Sequence, residues 1–329
     1  VRSHISLGGV CPRCRPMERL VAGRFRVERR VGAGSFSDVY SGIDCSSFEQ
    51  VAIKVEPSLA RQPLLVYEAR VCKSLAGTIG FPQLRYFGLE PRRNVLVMDL
   101  LGPSLDQLLA LSGRFTFKTV CMIGAQMVER LEALHSQGYV HGDIKPQNVL
   151  VGRGDSEGVV HLIDFGLCKR FKHLETDRHI EYRAAKALRG TMLFASMNAL
   201  KGAESSRRDD MEALGYLLMY LLRGSLPWQH VPGALTKRAA HQNLIHARSS
   251  LSVPEMCADI ADGQKAMCEY LTYCRGLGFK ECPDYGYLRR IFREAMAREG
   301  HDDDLVFDWT DPVAPTRPVS FDSDDNSWS

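Results

Sequence analysis

The chain has 329 residues, enough for one large domain or for two lobes with separate cores. Hydrophobic residues make up 45% and charged residues 25%, the balance of an ordinary soluble globular protein. A net charge of +3 is no signature of nucleic-acid binding, and the longest near-apolar helical stretch, residues 211–222, is too short to span a bilayer.

Residues 1–23 are Arg-, Pro- and Gly-rich with little periodicity and predict a flexible arm. Within it, Cys11-Pro-Arg-Cys14 has half of a zinc-site spacing, but no second Cys/His pair follows nearby. The ten cysteines are irregularly spaced and no secretory signal is visible, so reduced thiols and an intracellular protein, cytoplasmic or nuclear, are expected. From Arg24, the residues Phe25, Val27 and Val31 alternate with charged ones as far as Gly32-Ala33-Gly34, and Phe36, Val39 and Tyr40 continue beyond a turn. Val51-Ala52-Ile53-Lys54-Val55 is a β-rich strand. A helical segment follows with Tyr67, Glu68, Val71 and Leu75, then strand-like runs over 84–87 and 95–98. Residues 24–99 therefore predict a sheet-rich lobe with one main helix.

Gly102-Pro103 is a turn signal, and the hinge between two lobes is placed there. Beyond it the periodicity turns helical, first through Leu105, Leu108 and Leu109, then through Val120, Ile123, Met127, Leu131 and Leu134 to an end near Gly138. Short strands over 149–151 and 159–163 and helices over 210–223, 264–274 and 286–298 complete a larger, mostly helical lobe over 100–310. Residues 311–329 are Pro-, Ser- and Asp-rich and predict a disordered acidic tail. The fold class expected is α+β in two lobes.

The chemistry concentrates in two runs, His141-Gly142-Asp143-Ile144-Lys145-Pro146-Gln147-Asn148 and Asp164-Phe165-Gly166. Asp143 is placed to take a hydroxyl proton, and Lys145 to neutralise charge on a transferred phosphoryl group. Asn148 and Asp164 are hard oxygen ligands of the kind Mg²⁺ requires. His141 reads as a buried, hydrogen-bonded support of the loop rather than the base. Upstream, Gly32 and Gly34 suit a loop whose backbone approaches phosphates, although two glycines at this spacing also fit any tight hairpin. Lys54 on its strand is either a solvated surface residue or an inward one compensated by phosphate and by Glu68. Ser206-Arg207-Arg208-Asp209-Asp210 entering an apolar helix suits a solvated helix start; alternatively Asp210 anchors the catalytic loop from beneath through backbone hydrogen bonds.

Taken together, these motifs resemble those of eukaryotic protein kinases and, within them, of the casein kinase I family. The residues particular to that family are Leu100-Leu-Gly-Pro-Ser-Leu105, His179-Ile-x-Tyr-Arg183, Ser206 through Asp210, Gly215-Tyr, Gly224-Ser-Leu-Pro-Trp228, Pro283-Asp-Tyr285 and Val306-Phe-Asp-Trp309. Ala195-Ser-Met-Asn198 stands where most kinases have Ala-Pro-Glu, similar to the family's own variant. The resemblance runs from about Arg24 to Trp309. It implies a bilobal, monomeric Ser/Thr kinase whose protein substrates carry acidic or phosphorylated residues upstream of the target. It further implies catalysis by Asp143, Lys145, Lys54 and Glu68, with Mg²⁺ on Asn148 and Asp164. ATP would be contacted by Val31, Gly32, Ala33, Gly34, Ser35, Phe36, Val39, Ala52, Lys54 and Leu150, with Met98 as gatekeeper and Asp99, Leu100 and Leu101 as hinge.

Some positions depart from the family pattern. Gly142 replaces the Arg that usually precedes the catalytic Asp, Ser37 replaces the third glycine, and Leu193 replaces an anion-binding Arg. The basic stretch after Trp228 thins to Lys237-Arg238 followed by Ala239-Ala240, while Lys169 and Lys186 remain. A partly dismantled basic pocket predicts a weaker preference for pre-phosphorylated substrates. These departures also admit a rival reading, an inactive kinase-like scaffold that binds partners. Ser327, with Asp324 and Asp325 upstream, is either an autophosphorylation site or part of a solubilising end.

Overall fold

The computed structural model describes residues 20–33, 37–58, 63–90, 92–184, 187–229 and 236–310. The expectations for Gly34, Ser35, Phe36, Lys186, the Cys11/Cys14 pair and Ser327 fall outside the described residues. Six strands, β1 (Leu20–Val21), β2 (Phe25–Ala33), β3 (Asp38–Asp44), β4 (Gln50–Pro57), β5 (Leu84–Leu89) and β6 (Arg93–Asp99), form one antiparallel sheet. Their order is β1-β2-β3-β4-β6-β5. Helix α1 (Leu64–Ser74) lies between β4 and β5 in the chain.

The alternation in β4 decides what the sheet does. Val51 and Ile53 join Val21, Phe25, Tyr40, Val95 and Val97 in a core on one face. The other face carries Ala52, Lys54 and Glu56, and there Leu96 packs with Leu65 and Ala69 of α1. Lys54, flanked by apolar Ile53 and Val55, is thus turned toward the helix.

The second lobe opens with α2 (Leu105–Ser112), where Ser104 and Gln107 form a capping box. The long α3 (Phe117–Ser136) leads to β7 (Tyr139–Val140), β8 (Val149–Val151), β9 (Val160–Leu162) and β10 (Lys169–Arg170). Then come α4 (Met197–Leu200), α5 (Arg207–Arg223), α6 (Lys237–Ser249), α7 (Val253–Met256), α8 (Gln264–Gly276) and α9 (Tyr285–Arg298). Helix α3 packs on α9 and α5, and α5 on α8, so the wholly apolar flank of α5 sits at the centre of the larger core. The molecule is α+β with a sheet-rich and a helical lobe. Among the described residues, no helix is long and apolar enough to cross a membrane, and Cys72, Cys121, Cys168, Cys257, Cys268, Cys274 and Cys282 are free thiols.

Helix α6 was not foreseen in the sequence, which suggested only a thin basic stretch. Few of its residues are apolar, and the side chain it buries completely is Arg248, so a hydrophobic period is hard to see. Thr236 caps it by accepting from the Ala239 amide.

Candidate active site

The sheet register brings the upper half of the site into line. Gly32 pairs with Val39, Val39 with Lys54 and Lys54 with Leu96, while Ala52 pairs with Met98. From this row Lys54 Nζ reaches Glu68 of α1 at 2.8 and 3.0 Å and Asp164 Oδ1 at 2.8 Å. Burial works against the charge on Lys54, but the two carboxylates overcome it and hold the ammonium pKa above the ordinary lysine value. Burial likewise opposes ionisation of Asp164, and Lys54 reverses this, keeping it below the usual carboxylate range. Lys54 is inward and paired, not a solvated surface residue. Asp164 adopts a left-handed backbone (φ 65°, ψ 74°), which sends Phe165 into the core between Phe81 and His141 and leaves the carboxylate 42% exposed.

The lower half is the loop between β7 and β8. Asp210, at the start of α5, accepts the His141 amide at 2.7 Å and the Gly142 amide at 2.8 Å, and its Oδ2 also meets His135 Nε2 at 2.9 Å. This is the anchor from beneath that the charged helix start suggested. His141 is fully buried, with Nε2 3.0 Å from the Ile163 carbonyl and Nδ1 accepting the Asp143 amide, a support of the loop. Asp143 faces Lys145, whose Nζ lies 2.6 Å from its Oδ2. Asn148 Nδ2 donates to the Asp143 carbonyl at 2.8 Å, and the Ile163 amide donates to the Asn148 carbonyl at 3.0 Å. That last bond brings Asp164 beside Asn148. The pair offers an amide oxygen and an ionised carboxylate, a donor set that fits a hard divalent cation.

Two residues not singled out for the site complete it. The Thr191 amide donates to Asp143 Oδ1 at 2.8 Å, and Lys145 Nζ approaches the Thr191 hydroxyl at 3.3 Å. Gly190 makes this approach possible. Its φ is +84°, and a Cβ there would stand 2.5 Å from the Gly142 carbonyl oxygen. Gly190-Thr191 was visible in the sequence, but its contact with Asp143 spans 48 positions. Gly142 has φ +78°, where a side chain would be strained, so its presence relaxes the loop at the cost of the usual arginine.

At the hinge, the Asp99 carboxylate turns away to Arg85 Nε (2.7 Å) and the Gln83 amide (2.9 Å), so only its backbone is left for a ligand. The Gly102 amide bonds the Val151 carbonyl at 2.9 Å, and Ser104 bridges Leu150, which fastens the hinge to β8. Leu150 is the half-buried residue between buried Val149 and Val151, so it points to the opposite side of the strand. Val31, Leu100 and Leu101 are also half-buried.

Beside the catalytic loop lies a cavity of about 370 Å³ lined by Gly142, Lys169, His173, Arg183, Arg189 and Glu204, among others. Lys169, assigned from the sequence to a basic pocket, is ion-paired with Glu204. Leu193 instead packs against the core. Among known families, the model of the protein kinase domain matches residues 25–272.

Proposed function

Because the chain belongs to the protein kinase family, we propose that it is an active Ser/Thr kinase of the casein kinase I type, transferring the γ-phosphoryl group of Mg²⁺-ATP to proteins. The observation that carries this reading is the joined set Lys54–Glu68–Asp164 with Asp143–Lys145 and Asn148. Asp143 orients the acceptor hydroxyl and takes its proton as the oxygen bonds to phosphorus and the bond to the bridging oxygen breaks. Lys54 and Lys145 neutralise phosphate charge, and Glu68 holds Lys54 in place. Asn148 and Asp164 would hold Mg²⁺, which when bound offsets charge on the phosphates. The glycine-loop residues, Ala52, Leu150 and the hinge from Met98 to Leu101 form the nucleotide seat. The intact lysine pairing favours this reading over the scaffold.

Arg183 and Arg189 beside Gly142 support acidic segments as substrates. The missing arginines at 142 and 193, with Lys169 engaged by Glu204, support a weak dependence on prior phosphorylation.

The test is transfer from Mg²⁺-ATP to an acidic Ser peptide, with primed and Tyr-containing versions in parallel. The parent should phosphorylate the unprimed Ser peptide, and Asp143→Asn should lower kcat by about 10²–10⁴-fold. A parent that folds and binds ATP yet transfers nothing would favour the scaffold. A primed peptide used much faster than its unprimed parent would refute the weak dependence.

A further inference from the structure

Arg248 is completely buried on α6, and a buried cation is costly unless something compensates it. Among the described residues no carboxylate is ion-paired with it, and its Nε and Nη2 make no hydrogen bond. Its guanidinium instead lies over two rings, 4.2 Å from the centroid of Tyr216 and 4.5 Å from that of Trp228. The remaining nitrogen, Nη1, donates to the Ala195 carbonyl at 2.6 Å.

The rings that hold Arg248 act on the same stretch of backbone. Trp228 Nε1 donates to the Leu193 carbonyl at 3.0 Å. The Tyr216 hydroxyl donates to Glu212 Oε1, which also accepts the Met197 amide at 3.1 Å. Residues 193–197 are therefore tied down at three alternate positions by one buried cluster. Just upstream, Thr191 is bonded to Asp143.

We propose that Arg248 is a positioning residue for the acceptor substrate: through the Ala195 carbonyl it fixes residues 193–197 as the seat of the acceptor segment beside Asp143. This rests on the kinase reading above. A neutral side chain of similar length fills the slot between the rings but offers no donor to Ala195. A lysine keeps the charge and can still donate to the Ala195 carbonyl.

The test compares Arg248→Met and Arg248→Lys in the full chain, by amide hydrogen exchange and by steady-state kinetics. In Arg248→Met, exchange over 193–197 and the peptide KM should each rise about tenfold, the worth of one strong hydrogen bond, while the ATP KM and the protection of α3 and α5 stay at parental values. Arg248→Lys should recover most of both. If Arg248→Met does not fold, Trp228→Phe, which keeps a ring but removes the bond to Leu193, should show the same local effect at smaller size. Unchanged exchange over 193–197, or an equal loss of protection in α3 and α5, would overturn the proposal. A parent that transfers no phosphate would defeat the kinase reading alone, because the exchange comparison still decides whether Arg248 fixes this segment.

Discussion

Asp209 and Asp210 are adjacent and buried, yet they titrate in opposite directions. Burial pushes both carboxyls up. For Asp210, His135 and the amides of His141 and Gly142 reverse that push and hold it below the usual carboxylate range. Asp209 has the Ser196 hydroxyl, the Ser206 amide at 2.8 Å and Arg208 at 3.8 Å, and burial prevails, leaving it at about 6 against an ordinary 3.8. Folding thus favours the neutral form of Asp209. Its stabilising contribution is full below the ordinary value and is lost as pH rises through about 6. Asp209→Asn cannot ionise, so it should gain stability over the parent by up to about 1.4 kcal/mol per pH unit across that window. Urea unfolding of both proteins at several pH values reads this difference, and a difference independent of pH would contradict it. The sequence left the run open between a solvated helix start and an anchor through Asp210; the structure shows the anchor, with Asp210 and not Asp209 meeting the amides of His141 and Gly142.

Helix α1 begins after Pro63 with no side-chain cap of its own. Glu56 acts in its place, fully buried, accepting the Leu65 amide at 3.2 Å and Asn94 Nδ2 at 2.9 Å. Lys54 and Glu56 share a face of β4, so one strand grips α1 at its first turn and again at Glu68. Glu56→Ala should cost about 1–2 kcal/mol of stability through the lost cap. It should also lower kcat several-fold by loosening Glu68 from Lys54. Thermal unfolding and kinetics would check the pair; full kcat in a destabilised variant would show that Glu56 anchors α1 without placing Lys54. The Val-Ala-Ile-Lys strand and the Glu68 helix were legible because each has a clear local period. Helix α6 was not, because the side chain it inserts into the core is a cation.

Across the whole molecule, Val306-Phe-Asp-Trp309 closes the helical lobe against the start of α3. Asp308 accepts the Thr116 amide at 2.7 Å and the hydroxyls of Thr116 and Thr119 at 2.6 and 2.8 Å, while Phe307 stacks on Trp309, which meets Phe115 edge-on. Asp308→Ala should lower stability by about 1–3 kcal/mol, a loss of several degrees in Tm by calorimetry, with the ATP KM unchanged. An unaltered Tm would show this segment to be merely laid on the surface. By itself the sequence determined the two-lobed α+β division and most of its strands and helices, α6 excepted, and it named the candidate groups for phosphoryl transfer. Periodicity is local, and the spacings within 141–148 and 164–166 survive without any fold. The tertiary structure chose between the two readings of Lys54, turning it inward to Glu68, and it alone decided the remaining partners: Asp164 with Lys54, Glu204 with Lys169, Asp143 with Thr191, Ala195 with Arg248. Such pairings depend on burial and on contacts between residues far apart in the chain, and no local pattern encodes them.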